Sequence, residues 1–370
     1  MLRRGIHRAE RFWDGARLSF KRRAGLLGTP ILVPYRGLAT PDGLWIRGRV
    51  LEDQGVMTAP HSESTLRNVW LTFKRYETDE IGGARVVWRA LGESGDLVTD
   101  NEGFFDTVLP VRPDAAGSPW FAVELELVSA PVHEVAPLSA EANVRTVSPS
   151  ARFGVISDID DTIVKTGATN FVKHWRTVVA NSAQSRTAFP GVSHLYRALA
   201  KGEAGPETNP VFYVSSSPWN LYDLFQSFLA LHEIPLGPML LKDFGLDRDK
   251  WLTGGHDGHK LKMIAKIMDA YPHLSFVLIG DSGQRDAAIY AEAARRHEGR
   301  IIAVHIRDVT DGDLATEAGE AIAALEALRI PVTRAETLFA AAENAAKLGL
   351  IDAGDVACVR AAIEEREREG

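Results

Sequence analysis

The chain has 370 residues, enough for two domains with separate cores, and its 45% hydrophobic and 25% charged content is that of a soluble globular protein. A net charge of -7 argues against a general nucleic-acid binder, and the lone Cys358 excludes an intrachain disulfide and is compatible with a reducing, cytoplasmic setting. No apolar run reaches the ~18 residues of a membrane span, and the basic N-terminus lacks the continuous apolar core of a cleaved secretory leader.

Residues 1–28 form a segment of their own. Arg3, Arg4, Arg8, Arg11, Arg17, Lys21, Arg22 and Arg23 face only Glu10 and Asp14, while Leu2, Ile6, Ala9, Trp13, Ala16 and Phe20 recur at three- and four-residue steps. That spacing predicts a basic amphipathic helix. Two readings stay open: peripheral contact with an anionic membrane surface, or docking of the apolar face on the protein's own body with the arginines solvated.

Across residues 29–149 the pattern becomes short alternating runs broken by turn residues. Strands are expected at 44–50, 68–73, 84–88 and 120–127, with a turn at 100–103 entering another. Their spacing predicts an antiparallel β-sandwich, and no grouping of His, Cys or paired acids gives it chemistry. A boundary falls at 144–150, where Pro149 and two serines precede a new apolar run.

That run, residues 153–156, has the length and β-branching of a buried strand, and it stops at Asp158, Asp160 and Asp161. Further continuous apolar runs at 211–214, 274–279 and 300–306 alternate with helical stretches, which predicts a parallel α/β sheet over residues 150–310. Residues 311–370 are Ala- and Glu-rich and read as a C-terminal helical appendage, interrupted at 330–333. Open α/β sheets bind ligands at the C-terminal ends of their strands. Acids crowded there repel one another, so they take up protons or hold a cation; Mg²⁺ suits such oxygen ligands and leaves room for a phosphate.

Three more groups follow predicted strands or open helices. Ser215-Ser216-Ser217-Pro218 ends the 211–214 run; Ser217 reads as a helix N-cap and Ser215 as a hydroxyl at the strand end, together an anion site. Lys260 opens a helix, where it can neutralise phosphate charge; His256 and His259 lie beside it without zinc-site spacing. Gly280-Asp281-Ser282-Gly283-Gln284-Arg285-Asp286 again ends a buried strand in an acid, with a second acid after the turn. Asp281 and Asp286 can join Asp158 and Asp160 in supplying oxygens to one Mg²⁺.

These four groups, in this order, resemble the motifs of haloacid-dehalogenase-type phosphatases. Ser215-Ser216-Ser217-Pro218-Trp219-Asn220-Leu221-Tyr222 and Leu278-Ile279-Gly280-Asp281-Ser282-Gly283-Gln284 narrow the resemblance to the catalytic domain of the actin-patch phosphatidate phosphatase family, related to the lipins. The resemblance covers roughly residues 150–310. It implies a haloacid-dehalogenase-like Rossmannoid sheet and Mg²⁺-dependent hydrolysis of a phosphate monoester through an aspartyl-phosphate, with phosphatidate as substrate. Asp158 is implied as nucleophile and Asp160 as acid and base, with Thr162 fixing the loop. Ser215, Ser216 and Lys260 would hold the phosphoryl oxygens. Asp158, the Asp160 carbonyl and Asp281 would bind the metal, and Asp286 would sit behind them or reach it through water.

Between Thr162 and Val211 there is room for a small helical insertion, at 171–180 and 192–200, and not for a folded cap. Such an open site admits a large or membrane-bound substrate. Phe171, Val172, Trp175, Val178 and Val179 either line an acyl-chain groove or form the packed face of a core helix. The same chemistry on a soluble or protein-bound phosphate, and a lipid- or phosphate-binding module without turnover, are the competing readings. The intact Asp158 and Asp160 pair speaks against the last.

Overall fold

The computed structural model describes residues 28–53, 80–114, 118–131, 133–164, 188–242, 256–283, 285–309 and 316–369. The helix expected in residues 1–28 (Gly28 excepted), the strand at 68–73 and the helical stretch at 171–180 lie outside the described residues.

The first half of the chain builds a sheet from β1 (Thr29–Pro34), β2 (Gly37–Thr40), β3 (Gly43–Asp53), β4 (Arg85–Ala90), β5 (Glu93–Val98), β6 (Phe104–Leu109), β7 (Trp120–Ser129) and β8 (Leu138–Arg145). Its order is β1-β3-β2-β8-β7-β4-β5, with β6 on the free side of β3, and all pairs but β2–β8 are antiparallel. Alternation does what a half-buried strand requires: Val123, Leu125 and Leu127 of β7 point inward while Glu124 between them is exposed. Leu44 and Ile46 of β3 share one core with Val86 and Trp88 of β4 at the far side of the sheet. These strands form one eight-stranded sheet. The long β3 keeps its ladder unbroken, because it pairs with β1 and β2 along one edge and β6 along the other.

The second half builds a parallel sheet from β9 (Gly154–Ser157), β10 (Val211–Pro218), β11 (Met239–Lys242), β12 (Phe276–Asp281), β13 (Ile301–Arg307) and β14 (Val332–Ala335). Its order, β11-β10-β9-β12-β13-β14, puts the acid-terminated β9 in the middle, next to the acid-terminated β12. Every residue of β9 and β12 is buried, as strands covered on both faces must be. Two helical groups supply the cover. The helices α1 (Val192–Ala200), α6 (Phe339–Lys347) and α7 (Ala353–Glu369) pack together against β9 and β14, while α3 (His256–Ala270), α4 (Asp286–Arg296) and α5 (Thr316–Ala327) pack together against β10, β12, β13 and β14. Between β10 and β11 lies α2 (Tyr222–Leu231).

Two expectations change here. The break at 330–333 leads into a sixth strand, β14, which pairs in parallel with β13. Residues 316–369 are thus built onto the sheet, and Val359 and Ile363 of α7 are buried against Gly191 at the start of α1. An Ala- and Glu-rich composition favours helix, but an exposed edge of β13 rewards pairing of Val332-Thr333-Arg334 more. Similarly, 192–200 is no insertion over the site: Leu195, Tyr196 and Leu199 of α1 are core residues.

One buried group makes this core sensitive to acid. His305 of β13 is 1% exposed, its Nδ1 lies 2.7 Å from Thr333 Oγ1, and burial pushes its pKa from 6.5 down to about 4. Between those two values the unfolded chain binds a proton that the folded chain refuses, so stability falls as pH falls, by up to about 1.4 kcal/mol per pH unit. Urea midpoints measured from about pH 7 to pH 5 should therefore drop more steeply for the wild type than for His305→Gln; parallel slopes would refute a buried neutral imidazole.

Candidate active site

The acids meet at the C-terminal edge of the parallel sheet. Asp158 follows β9, and its N–H donates to the Ile279 carbonyl at 2.9 Å, which seats it against β12. Asp281 is the last residue of β12, and Asp286 opens α4. Gly280 makes their closeness possible, since a Cβ there would lie 2.4 Å from Asp286 Oδ2. Lys260, near the start of α3, reaches between them: its Nζ lies 2.8 Å from Asp158 Oδ1 and 2.7 Å from Asp286 Oδ1. The other oxygen of Asp286 accepts the Asp281 N–H at 3.1 Å. Thr162 Oγ1 stands 3.5 Å from Asp158 Oδ2. None of these five side chains belongs to a residue more than 2% exposed.

Asp160 sits apart, held from the β10 side. Its Oδ2 accepts the Ser215 hydroxyl at 2.6 Å and the Ser217 hydroxyl at 2.9 Å, while the Ser217 N–H donates to Ser215 Oγ at 2.9 Å. Ser217 is therefore not the expected N-cap. β10 runs on through Pro218, a single 3-10 turn at Trp219–Leu221 follows, and α2 starts after Leu221 without a side-chain cap, four residues beyond Ser217. Ser216, between the two, is half-buried.

Sequence reasoning also missed Arg307. It ends β13 opposite Asp281 and donates to the carbonyl of Asp161, whose φ of 53° is left-handed. That bond and the Asp161 N–H to Val164 carbonyl bond of 2.8 Å hold the strained turn between Asp160 and Thr162. The available signal was a cation at the end of a predicted strand, at the same level of the sheet as an acid.

Electrostatically the site is short of positive charge. Burial disfavours the Lys260 ammonium, but Asp158 and Asp286 outweigh it and push its pKa up, so it stays protonated. Burial pushes Asp158 well above the usual carboxylate range despite Lys260, and Asp286, Asp160 and Asp281 add to the rise. Burial first, then Asp286, pushes Asp281 up to about 7. Burial also raises Asp160, against the two serine bonds that favour its charged form. One carboxylate oxygen each from Asp158, Asp281 and Asp286 lie within 4.8 Å of one another. Among the described residues this is the His, Cys, Asp and Glu grouping close enough to hold a metal, and its all-oxygen donor set fits a hard divalent cation.

A central parallel strand ending in one carboxylate, an acid two residues on, a lysine from a later helix and two acids after the neighbouring strand are brought together in the α/β half, as the resemblance to haloacid-dehalogenase-type phosphatases implies. Residues 153–308 match the family described as the phosphatidate phosphatase APP1 catalytic domain. Phosphatidate phosphatase APP1 of Saccharomyces cerevisiae is 32% identical over 172 residues, which cover 46% of this chain and 28% of the yeast protein. The uncharacterized protein C29B5.04c of Schizosaccharomyces pombe is 26% identical over 247 residues, 66% of this chain and 38% of that protein. The match thus spans well under half the length of either curated relative. A solved structure described as a haloacid dehalogenase-like hydrolase of Burkholderia xenovorans LB400 overlaps 42% of this chain and 82% of its own at 14% identity, with a TM-score of 0.25, too loose a superposition to define a fold.

The charge imbalance has a measurable consequence. An Asp281 pKa raised from 3.8 to about 7 means that the ionisation penalty on folding accumulates between those values and is complete above them. Asp281→Asn keeps the oxygen that accepts the Gly283 N–H and removes the charge. In chelator, the variant should melt above the wild type, by a margin that grows from about pH 4 to about pH 7 and then levels; a variant melting no higher at about pH 8 would show that Asp281 is not strained by its neighbours.

Proposed function

We propose that the chain is a Mg²⁺-dependent phosphatase that cleaves phosphate monoesters through an aspartyl-phosphate on Asp158, with phosphatidate as its substrate. The observation that carries this reading is the separate housing of two acids two residues apart. Asp158 pairs directly with Lys260, whereas Asp160 is held by the Ser215 and Ser217 hydroxyls and feels Lys260 only through its field. Two environments of this kind suit two roles: a nucleophile beside a fixed cation, which a bound Mg²⁺ would keep ionised, and a proton donor that burial favours in its neutral form.

Asp158 attacks phosphorus as the bond from phosphorus to the ester oxygen breaks, and Asp160 gives its proton to the leaving alkoxide. Asp160, now ionised, takes a proton from water; the water oxygen attacks phosphorus, the bond to Asp158 breaks, and phosphate leaves with Asp158 restored. Lys260 neutralises charge on the phosphoryl oxygens. The hydroxyls of Ser215 and Ser217 orient the Asp160 carboxyl for the proton transfer. Asp158 and Asp281, with the Asp160 carbonyl, would hold Mg²⁺, and Asp286 would orient Lys260 and the β12 end behind them. When bound, Mg²⁺ supplies the positive charge that keeps Asp158 ionised and offsets charge on the phosphoryl oxygens.

The lipid substrate is supported by the family description and by the name of the yeast relative. Residues 1–28 carry the basic amphipathic pattern that suits peripheral contact with an anionic bilayer, and no helix among the described residues is long and apolar enough to cross a membrane.

Phosphate release from dispersed phosphatidate, beside a panel of soluble phosphomonoesters, tests the reading. Release should require Mg²⁺, vanish in Asp158→Asn, and fall by about 10²- to 10⁴-fold in Asp160→Asn. Turnover that survives Asp158→Asn removes the aspartyl-phosphate, and turnover of soluble esters alone removes the lipid.

A further inference from the structure

The Trp219–Leu221 turn that follows Ser217 is gripped by the antiparallel sheet. The Tyr35 ring stacks on Trp219 with centroids 5.1 Å apart and planes at 17°, and lies 4.2 Å from the ring of Tyr222. The Arg36 N–H donates to Tyr222 Oη at 2.7 Å. The Arg47 guanidinium lies 4.4 Å over the Trp219 ring, and Arg49 Nη1 donates to Asn220 Oδ1 at 2.9 Å. These contacts begin two residues after Ser217, with only the restricted Pro218 between. The grip continues on α3: Lys266, six positions after Lys260, places its Nζ 3.8 Å over the Trp45 ring. Both elements that bring hydroxyls and an ammonium to the acids therefore rest on the same sheet.

Plain packing would account for buried rings here, but not for Asn220. Its residue is exposed, it fills no core, and it nevertheless takes a bond from Arg49, which is 7% exposed and also donates to the Glu102 carbonyl and pairs with Glu80. A buried, multiply tied arginine spending one donor on an exposed turn residue fixes the position of the turn.

We propose that the antiparallel sheet is a positioning device for the catalytic edge, and that Asn220 is a positioning residue through which Arg49 sets where Ser217 and Ser215 meet Asp160. This rests on the phosphatase reading for its effect on turnover, though not for its effect on the turn. Displacing the hydroxyls by a fraction of an ångström misplaces Asp160 during proton transfer, when the geometry matters most, and leaves ground-state phosphate binding by Lys260 in place.

Asn220→Ala, Asn220→Asp and Tyr35→Leu would be compared in the full chain by backbone hydrogen exchange and by steady-state kinetics. Asn220→Ala should speed exchange at 217–222 and lower kcat by about ten-fold with KM and the melting temperature nearly unchanged. Asn220→Asp, which keeps an acceptor for Arg49, should restore both. Tyr35→Leu should loosen the same amides even if it also lowers the melting temperature. Exchange at 217–222 unchanged in both Asn220→Ala and Tyr35→Leu would overturn the proposal, as would a loss confined to KM. Should the wild type release phosphate from no ester, the phosphatase reading fails, and exchange alone decides the positioning role.

Discussion

The acidic edge of the parallel sheet depends on one buried ammonium. Lys260 touches Asp158 and Asp286 at once, with Asp281 bonded to Asp286 just behind. Burying a carboxylate without a partner is prohibitive, and one lysine cannot balance three. The rest of the second half of the chain serves this contact. β9 and β12 must be neighbours to bring Asp158 and Asp281 together, α3 must present Lys260 between them, and Gly280 must leave room for Asp286. The remaining negative charge and the all-oxygen donor set fit a divalent cation.

Against this background the position of Asp160 is informative. It is only two residues from Asp158, yet its carboxylate is bound by hydroxyls of β10 and not by the lysine. The left-handed Asp161 and the Arg307 bond to its carbonyl turn the chain so that consecutive acids enter different surroundings. On the proposed reading, that divergence separates nucleophile from proton donor without any large change in either side chain's chemistry.

The two sheets are not independent bodies joined by a linker. Ile31, Val33, Tyr35 and Leu38 of the first half belong to the same apolar core as Phe212 and Phe276 of the second. Polar ties at Arg36, Arg49 and Arg145 join the halves beside this shared core, with the Arg145 guanidinium on the Glu207 carbonyl and the Tyr271 hydroxyl on the Arg145 carbonyl. A continuous core transmits strain, so the acidic edge of the parallel sheet is packed in continuity with the antiparallel sheet.

Much of the candidate site was legible in sequence because its signals are local. Asp158, Asp160, Ser215, Lys260, Asp281 and Asp286 stand where apolar runs stop or helices begin, and strand ends are where α/β sheets place ligands. The alternation in β3, β4 and β7 was equally readable, since strand period is written residue by residue. What stayed hidden depends on partners distant in the chain. Val332-Thr333-Arg334 is a strand because β13 offers it an open edge. Ser217 is a ligand of Asp160, not a cap, because β10 lies beside β9. Arg307 matters only once β13 sets it near Asp161, and Asn220 only once Arg49, 171 residues away, reaches it. Composition and spacing determined which residues have chemistry; long-range pairing alone decided which of them meet, since a side chain's partner is set by where the strands and sheets dock.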